Sequence, residues 1–283
     1  MINRFTRTIV ILTLITAVAA CSFKTVYNRL DYLIPEYIEG MVTLDDVLEE
    51  KLEQRTLVLL EWHRNTQLKQ YADWLSALQR DMATQLTEQQ VEQRITEMDR
   101  FWRSLSAKVN DEMADLLPLL NKEQQDELFM NIEDSNDEFR EEFVDLNEEQ
   151  RIEDYVERIS DTYQSWIGEL TDEQQRKVEQ VATELVSTAE LRMQRRLQWQ
   201  HGIREILAEE ETAQNKTGRL RQFLSGFEDI DDETMKEKSA INREVIVRLT
   251  VQISHSMTED QQAHFISRTN DYIRMLTELA ENR

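Results

Sequence analysis

The chain has 283 residues and a formal net charge of −23, from 56 Asp and Glu against 33 Lys and Arg, and 40% of it is hydrophobic. A surface this acidic repels phosphate backbones and argues against a nucleic-acid partner. Five glycines and two prolines are too few for the tight turns of a sheet protein, while Glu, Gln, Leu, Arg and Met favour helix, so the composition predicts an all-α fold.

Arg4 and Arg7 precede an apolar run from Ile9 to Ala20 that ends in Val18-Ala19-Ala20-Cys21. A basic start, a short apolar core and small residues before a cut form the pattern of a secretory signal. The run is well short of the about 20 apolar residues that span a bilayer. Cys21 is the sole cysteine. Exported proteins usually pair their cysteines, so a lone one is reactive or already used. The ending resembles the lipobox of bacterial lipoproteins, in which the cysteine receives lipid and becomes the first residue of the mature chain; a plain signal peptide with a free cysteine is the alternative. The resemblance implies a signal peptide over residues 1–20 and lipid attachment at Cys21. Because Ser22 rather than aspartate follows, it also implies sorting to the outer membrane, with the protein facing the periplasm.

Residues 21–42 read as an acylated, membrane-proximal segment. Val26, Leu30 and Leu33 fall at helical spacing, and Pro35 is expected to interrupt the ladder and leave two short helices. Their tyrosines are expected to pack on the main body rather than to sit at the lipid interface. Tyr27-Asn28-Arg29-Leu30-Asp31-Tyr32-Leu33-Ile34-Pro35, with Leu59-Leu60-Glu61-Trp62-His63-Arg64 downstream, resembles a family of uncharacterised proteobacterial lipoproteins. That resemblance runs over the whole chain and implies no activity, catalytic residue or cofactor.

Residues 43–283 read as one helical domain. Thr43 is expected to cap a helix whose buried stripe is Leu44, Val47, Leu48, Leu52, Leu59 and Trp62, with a break at Arg64-Asn65-Thr66. A pentapeptide then recurs. Leu86-Thr87-Glu88-Gln89-Gln90, Leu120-Asn121-Lys122-Glu123-Gln124, Leu146-Asn147-Glu148-Glu149-Gln150, Leu170-Thr171-Asp172-Glu173-Gln174 and Met257-Thr258-Glu259-Asp260-Gln261 share an apolar residue, Thr or Asn, two mostly acidic positions and Gln. This is a capping box: Thr or Asn accepts from an early backbone N–H, and Gln three residues on returns a bond to the cap. The acids between sit at the positive end of the helix dipole. The pairs Thr87/Gln90, Asn121/Gln124, Asn147/Gln150, Thr171/Gln174 and Thr258/Gln261 therefore mark helix starts, and Gly168 suits the end of the helix before the fourth.

Between these starts run seams stepping by three and four, such as Val91, Ile95, Met98, Trp102, Leu105, Val109, Met113 and Leu116. Such seams suit antiparallel helices packed in a bundle. Val178 to Ile206 is expected to lie on one long helix bearing Arg192, Arg195 and Arg196, whose charges are expected to pair with acids at Glu228–Glu233. The polar region around Gly218 and Gly226 is expected to be a hinge or long loop near residues 209–235. The predicted architecture is an elongated bundle of about six to nine helices.

The repeated pentapeptide also resembles the LTxxQ signature of the Spy and CpxP group of periplasmic helical proteins, which includes chaperones that cradle unfolded clients without ATP. The histidines His63, His201, His255 and His264 show no metal-ligand spacing, and no Gly-rich phosphate loop is present. The expected function is a non-enzymatic binding protein of the periplasm, holding non-native clients or serving as an envelope adaptor, with no metal or cofactor. The alternative is a metal-binding or hydrolytic envelope enzyme using the acidic clusters and His63.

Overall fold

The structure, a computed structural model, describes residues 20–227 and 233–281. The signal segment ahead of Ala20, the side chains of Cys21 and Ser22, and the acidic residues 228–232 lie outside the described residues.

Among the described residues there are twelve α-helices and no strand. The all-α expectation holds, and the count exceeds the expected six to nine. In chain order the helices are α1 (Ala20–Tyr27), α2 (Leu30–Glu39), α3 (Asp46–Thr66), α4 (Leu68–Met82), α5 (Glu88–Leu116) and α6 (Lys122–Phe139). Then come α7 (Glu148–Ile167), α8 (Asp172–Glu184), α9 (Ala189–Ala208), α10 (Ala213–Phe227), α11 (Glu233–His255) and α12 (Glu259–Glu281). A single 3-10 turn at Leu117–Leu119 holds Pro118, and a π turn at Arg140–Val144 closes α6.

The extra helices come from breaks that the apolar periodicity does not mark. The stretch expected as one helix from Val178 to Ile206 is two, α8 and α9, parted at residues 185–188. That segment's backbone groups are taken by side chains of other helices. Val186 N–H donates to Asn242 Oδ1 at 2.9 Å and Val186 C=O accepts from Asn242 Nδ2 at 2.8 Å. Leu185 C=O accepts from Arg151 at 3.1 Å and Ser187 C=O from Lys238 at 2.9 Å. Tertiary hydrogen bonds replace the helical ladder there.

Three other expectations are corrected. Asp45, not Thr43, caps α3, accepting from Val47 and Leu48 N–H, while Thr43 bonds the Glu127 carboxylate instead. The break between α1 and α2 falls at Asn28-Arg29, and Pro35 is buried inside α2. Within the region expected as a hinge or long loop, Ala213–Phe227 is helix α10, held by the buried Leu220 and Leu224, while 228–232 lie outside the described residues.

The core is five clusters rather than one. The largest joins α4, α7, α8, α11 and α12 around Val178, Val181, Leu249, Ile253 and Phe265. A second gathers Tyr27 of α1, Leu68, Ala72 and Leu75 of α4, and Met275, Leu276 and Leu279 of α12. A third joins α5, α6, α9 and α10 through Phe129, Ile203, Leu207, Leu220 and Leu224. Smaller clusters sit around Val42, Leu48 and Leu120, and around Leu86, Val91 and Val247. Helix α5 spans between them: its start packs on α11 through Val91 and Ile95, and Ala114 near its end joins the cluster of α9 and α10. Its apolar seam is uncovered in the middle, where Met98 is 51% and Trp102 69% exposed. The spacing of the seam alone does not distinguish these two positions from its buried ones.

Candidate functional site

Three places bring chemistry-bearing residues together: the seat of the first two helices, the capping turns, and an arginine–phenylalanine cluster at the end of α6.

Helix α1 is seated by polar as well as apolar contacts. Its Tyr27 hydroxyl lies 2.9 Å from His63 Nδ1 on α3, and the Tyr71 hydroxyl of α4 lies 3.4 Å from His63 Nε2. The chain of rings continues from Tyr71 to Phe101 edge-on, with centroids 4.9 Å apart. Burial lowers the His63 pKa below the ordinary value of 6.5. Burial raises the Tyr27 pKa, with Arg64 opposing it, and burial followed by the neighbouring Tyr27 raises that of Tyr71. A neutral imidazole between two neutral hydroxyls donates through one nitrogen and accepts through the other. Among the described residues the His63 ring lies against Tyr27, Tyr71 and Trp62, and its nitrogens face the two tyrosine hydroxyls.

An open groove of about 630 Å³ runs between α1, α2 and α3, lined by Tyr27, Asp31, Leu57, Leu60, Glu61 and Arg64 among others. Leu57, which lines the groove, is exposed. The groove thus has an apolar wall with both signs of charge at its edge.

The other histidines serve packing and caps. His255 Nε2 faces the Leu86 carbonyl at 2.8 Å, His201 pairs with Glu205 on the surface, and the His264 ring lies against Gly168. Among the described residues no group of three or more His, Cys, Asp or Glu is placed to hold a metal ion.

At the capping turns, Thr87, Asn121, Asn147 and Thr171 each accept from the N–H of the Gln three residues on, whose side chain bonds back to the cap N–H. Thr258 and Gln261 exchange the same pair of bonds, at 3.1 and 3.0 Å. The Gln amide has a second end. Gln90 Nε2 donates to Asp81, Gln124 Nε2 to the Thr43 carbonyl, Gln174 Nε2 to the Ser256 carbonyl and Gln261 Nε2 to the Glu169 carbonyl. Glutamate at this position would serve the cap equally well but could not donate. At four of the five motifs the Gln is therefore a cap and a dock at once, which the pentapeptide alone does not reveal.

Gln174 and Gln261 also dock on each other. Each Nε2 donates to the other's Oε1, at 2.9 and 2.8 Å, and both side chains are buried. The pair lies 87 residues apart, as do Tyr163 and Thr250, whose hydroxyls meet at 2.8 Å. The hairpin of α7 and α8 and the hairpin of α11 and α12 therefore face each other about a local two-fold axis, with α7 on α12 and α8 on α11.

At the π turn closing α6, Phe139 and Phe143 pack at 4.9 Å. The guanidinium of Arg192 lies over both rings at 5.2 and 5.6 Å, and that of Arg196 over Phe139 at 5.7 Å. Arg196 also donates to Asn136 Oδ1 and Ser135 Oγ, and Asn136 exchanges two amide bonds with buried Gln200. Burial lowers the Arg196 pKa, opposed by nearby Tyr37 and helped by Arg192. Among the described residues the partners of Arg192 and Arg196 are the two phenylalanine rings, Asn136 and Ser135. The acids at 228–232 expected to pair with them lie outside the described residues.

Residues 41–234 match the model of a family of unknown function, DUF6279. The chain belongs to this family. No curated protein and no solved structure matches. The DUF6279 match spans α3 to α10, and with them His63, Tyr71, the arginine–phenylalanine cluster and the first four capping motifs. Tyr27, on α1, and the fifth motif, at Thr258, lie outside it. In this DUF6279 chain the Gln174–Gln261 pair joins the matched region to the helices that follow it.

Proposed function

We propose that this chain is a lipoprotein of the outer membrane, anchored at Cys21 and facing the periplasm, and that it works by holding another protein rather than by catalysis. The lipobox-like ending at Cys21 supports the anchor. The uncovered middle of the α5 seam carries the binding reading: Met98 and Trp102 lie on one face of a helix buried at both ends. A large exposed tryptophan beside an exposed methionine is the composition of an interaction surface, and methionine adapts its shape to varied partners. The exposed Leu57, with Leu60 beside it in the groove of α1–α3, adds a second apolar surface. The resemblance of the five capping motifs to the LTxxQ signature of Spy and CpxP is in keeping with a client-holding role.

The test is aggregation of a denatured model client with and without residues 22–283 at equal molarity, in the absence of ATP. Suppression that is lost in Trp102→Ser with Met98→Ser, while the circular dichroism melt is unchanged, supports the reading. No suppression by the unsubstituted protein removes client holding and leaves the adaptor role, for which crosslinking from position 102 identifies the partner.

A further inference from the structure

Among the described residues no long loop separates Cys21 from the packed helices. Helix α1 begins at Ala20, with Cys21 in its first turn, and continues through a two-residue break into α2. Both helices are fixed to the body. Phe23, Tyr27 and Leu30 pack into the cluster of α4 and α12, the Tyr27 hydroxyl meets His63, and Lys24 Nζ pairs with Glu278 at 2.8 Å. Pro35 is buried and Ile38 packs toward Val42 and Leu48.

With the inward faces so occupied, α2 turns Tyr32, Leu33 and Tyr37 outward. They are 64%, 37% and 58% exposed and fall within an arc of about 140° at 3.6 residues per turn. Tyrosines on a face of mixed apolar and polar character suit the bilayer–water boundary, where the ring meets the acyl chains and the hydroxyl meets headgroups. At about 1.5 Å per helical residue, Tyr32 lies within about 20 Å of Cys21. Exposed Glu36 and Glu39 lie on or beside this face, so charge does not drive the contact; the apolar and aromatic side chains do, and Arg196, with Arg192 beside it, lies close enough to respond to Tyr37.

We infer that the outward face of α2, through Tyr32, Leu33 and Tyr37, rests on the phospholipid surface and holds the body in one fixed orientation against the membrane. The inference rests on the reading of Cys21 as the lipid-bearing residue. It divides the tyrosines expected to pack on the body: Tyr27 does so, while Tyr32 and Tyr37 meet lipid.

Because acylation uses the sole cysteine, single nitroxide labels can be placed cleanly at Tyr32→Cys, Tyr37→Cys and, as a control, Glu173→Cys. Glu173 sits at the start of α8, beside the start of α12, whereas Lys24 of α1 pairs with Glu278 near the end of α12. The full chain, purified with its lipid, is reconstituted in phosphatidylethanolamine and phosphatidylglycerol vesicles. Relaxation by oxygen and by a water-soluble nickel complex reads the depth of each label, and the mass of the N-terminal peptide reads acylation separately. The expected result is a several-fold rise in the oxygen-to-nickel ratio at 32 and 37 over position 173. Equal ratios at all three positions in an acylated chain would overturn docking and leave the anchor standing. An unmodified Cys21 would overturn the anchor, and the docking that rests on it.

Discussion

Gln174 and Gln261 meet amide to amide, and every donor and acceptor of the pair has a partner. Each Oε1 takes the N–H of its own cap and the other Gln's Nε2. Each Nε2 gives to the other Oε1 and to a carbonyl of the opposite turn. A buried polar network satisfied in this way is rigid, and losing one member strands the rest. Gln174→Glu keeps the cap but sets a carboxylate against the Ser256 carbonyl and Gln261 Oε1. It should cost about 3 kcal/mol or more, against about 1 kcal/mol for Thr171→Ala, which removes a cap alone. Urea midpoints at unchanged slope give both values; equal losses would mean that the docking end of the amide contributes nothing.

Glycines in the third quarter of the chain should respond in opposite senses. A Cβ at Gly202 would lie 2.2 Å from Cζ of Phe223, whereas one at Gly218 meets nothing within 4 Å. Gly202→Ala forces α9 and α10 apart and should destabilise by about 1–3 kcal/mol. Gly218→Ala, inside helix α10, should stabilise by about 0.5–1 kcal/mol through lower backbone entropy in the unfolded chain. Thermal melts of the two variants check the pair, and a destabilised Gly218→Ala would return that region to the loop its composition suggests.

Stability should fall with acidity through His63. Its pKa is lowered in the folded state, so between that lower value and the ordinary 6.5 the unfolded chain binds the extra proton and the folded chain does not. The stability present above pH 6.5 is retained there and lost progressively as pH drops toward the folded value. Arg64, over the Tyr27 ring at 5.5 Å, adds a like charge to the same neighbourhood. His63→Gln keeps a donor and an acceptor for Tyr27 and Tyr71 but cannot titrate. The difference in unfolding free energy between the two proteins should therefore be flat above pH 6.5 and slope below it.

Asn242 holds the backbone of Val186 from both sides. Asn242→Ala leaves that N–H and C=O without partners and should cost about 1–3 kcal/mol. Cleavage by a broad-specificity protease should rise at residues 185–188 before it rises elsewhere. Uniform loss of protection along the chain would show that the break is not held locally.

The helices, and the turns that start five of them, are legible in the sequence because both are written locally: seams at three and four residues, and Thr or Asn three residues before Gln. The break at 185–188 is not, since its cause is Asn242 and Lys238, more than fifty residues on. Nor can periodicity tell a buried seam from a bare one. Met98 and Trp102 keep the spacing of Val91 and Ile95 yet are exposed among the described residues. His63 stood out as a candidate by its rarity, but what it faces, Tyr27 and Tyr71, comes from the seating of α1 on α3 and α4. The one signal for that seating is the concentration of aromatics in the first segment.

Helix α12 covers α4 for much of its length, and Gln79 reaches across to Thr269, 190 residues later in the chain. Contacts so distant make this slow to fold for an all-helical protein, because the connecting loop must close before they form. Until residues 259–281 have been synthesised, the cluster of Tyr27, Leu68, Ala72 and Leu75 lacks Met275, Leu276 and Leu279, and α1 lacks its partner Glu278. A chain that lacks this helix therefore keeps one of its clusters open, and the last segment made is the one that closes it.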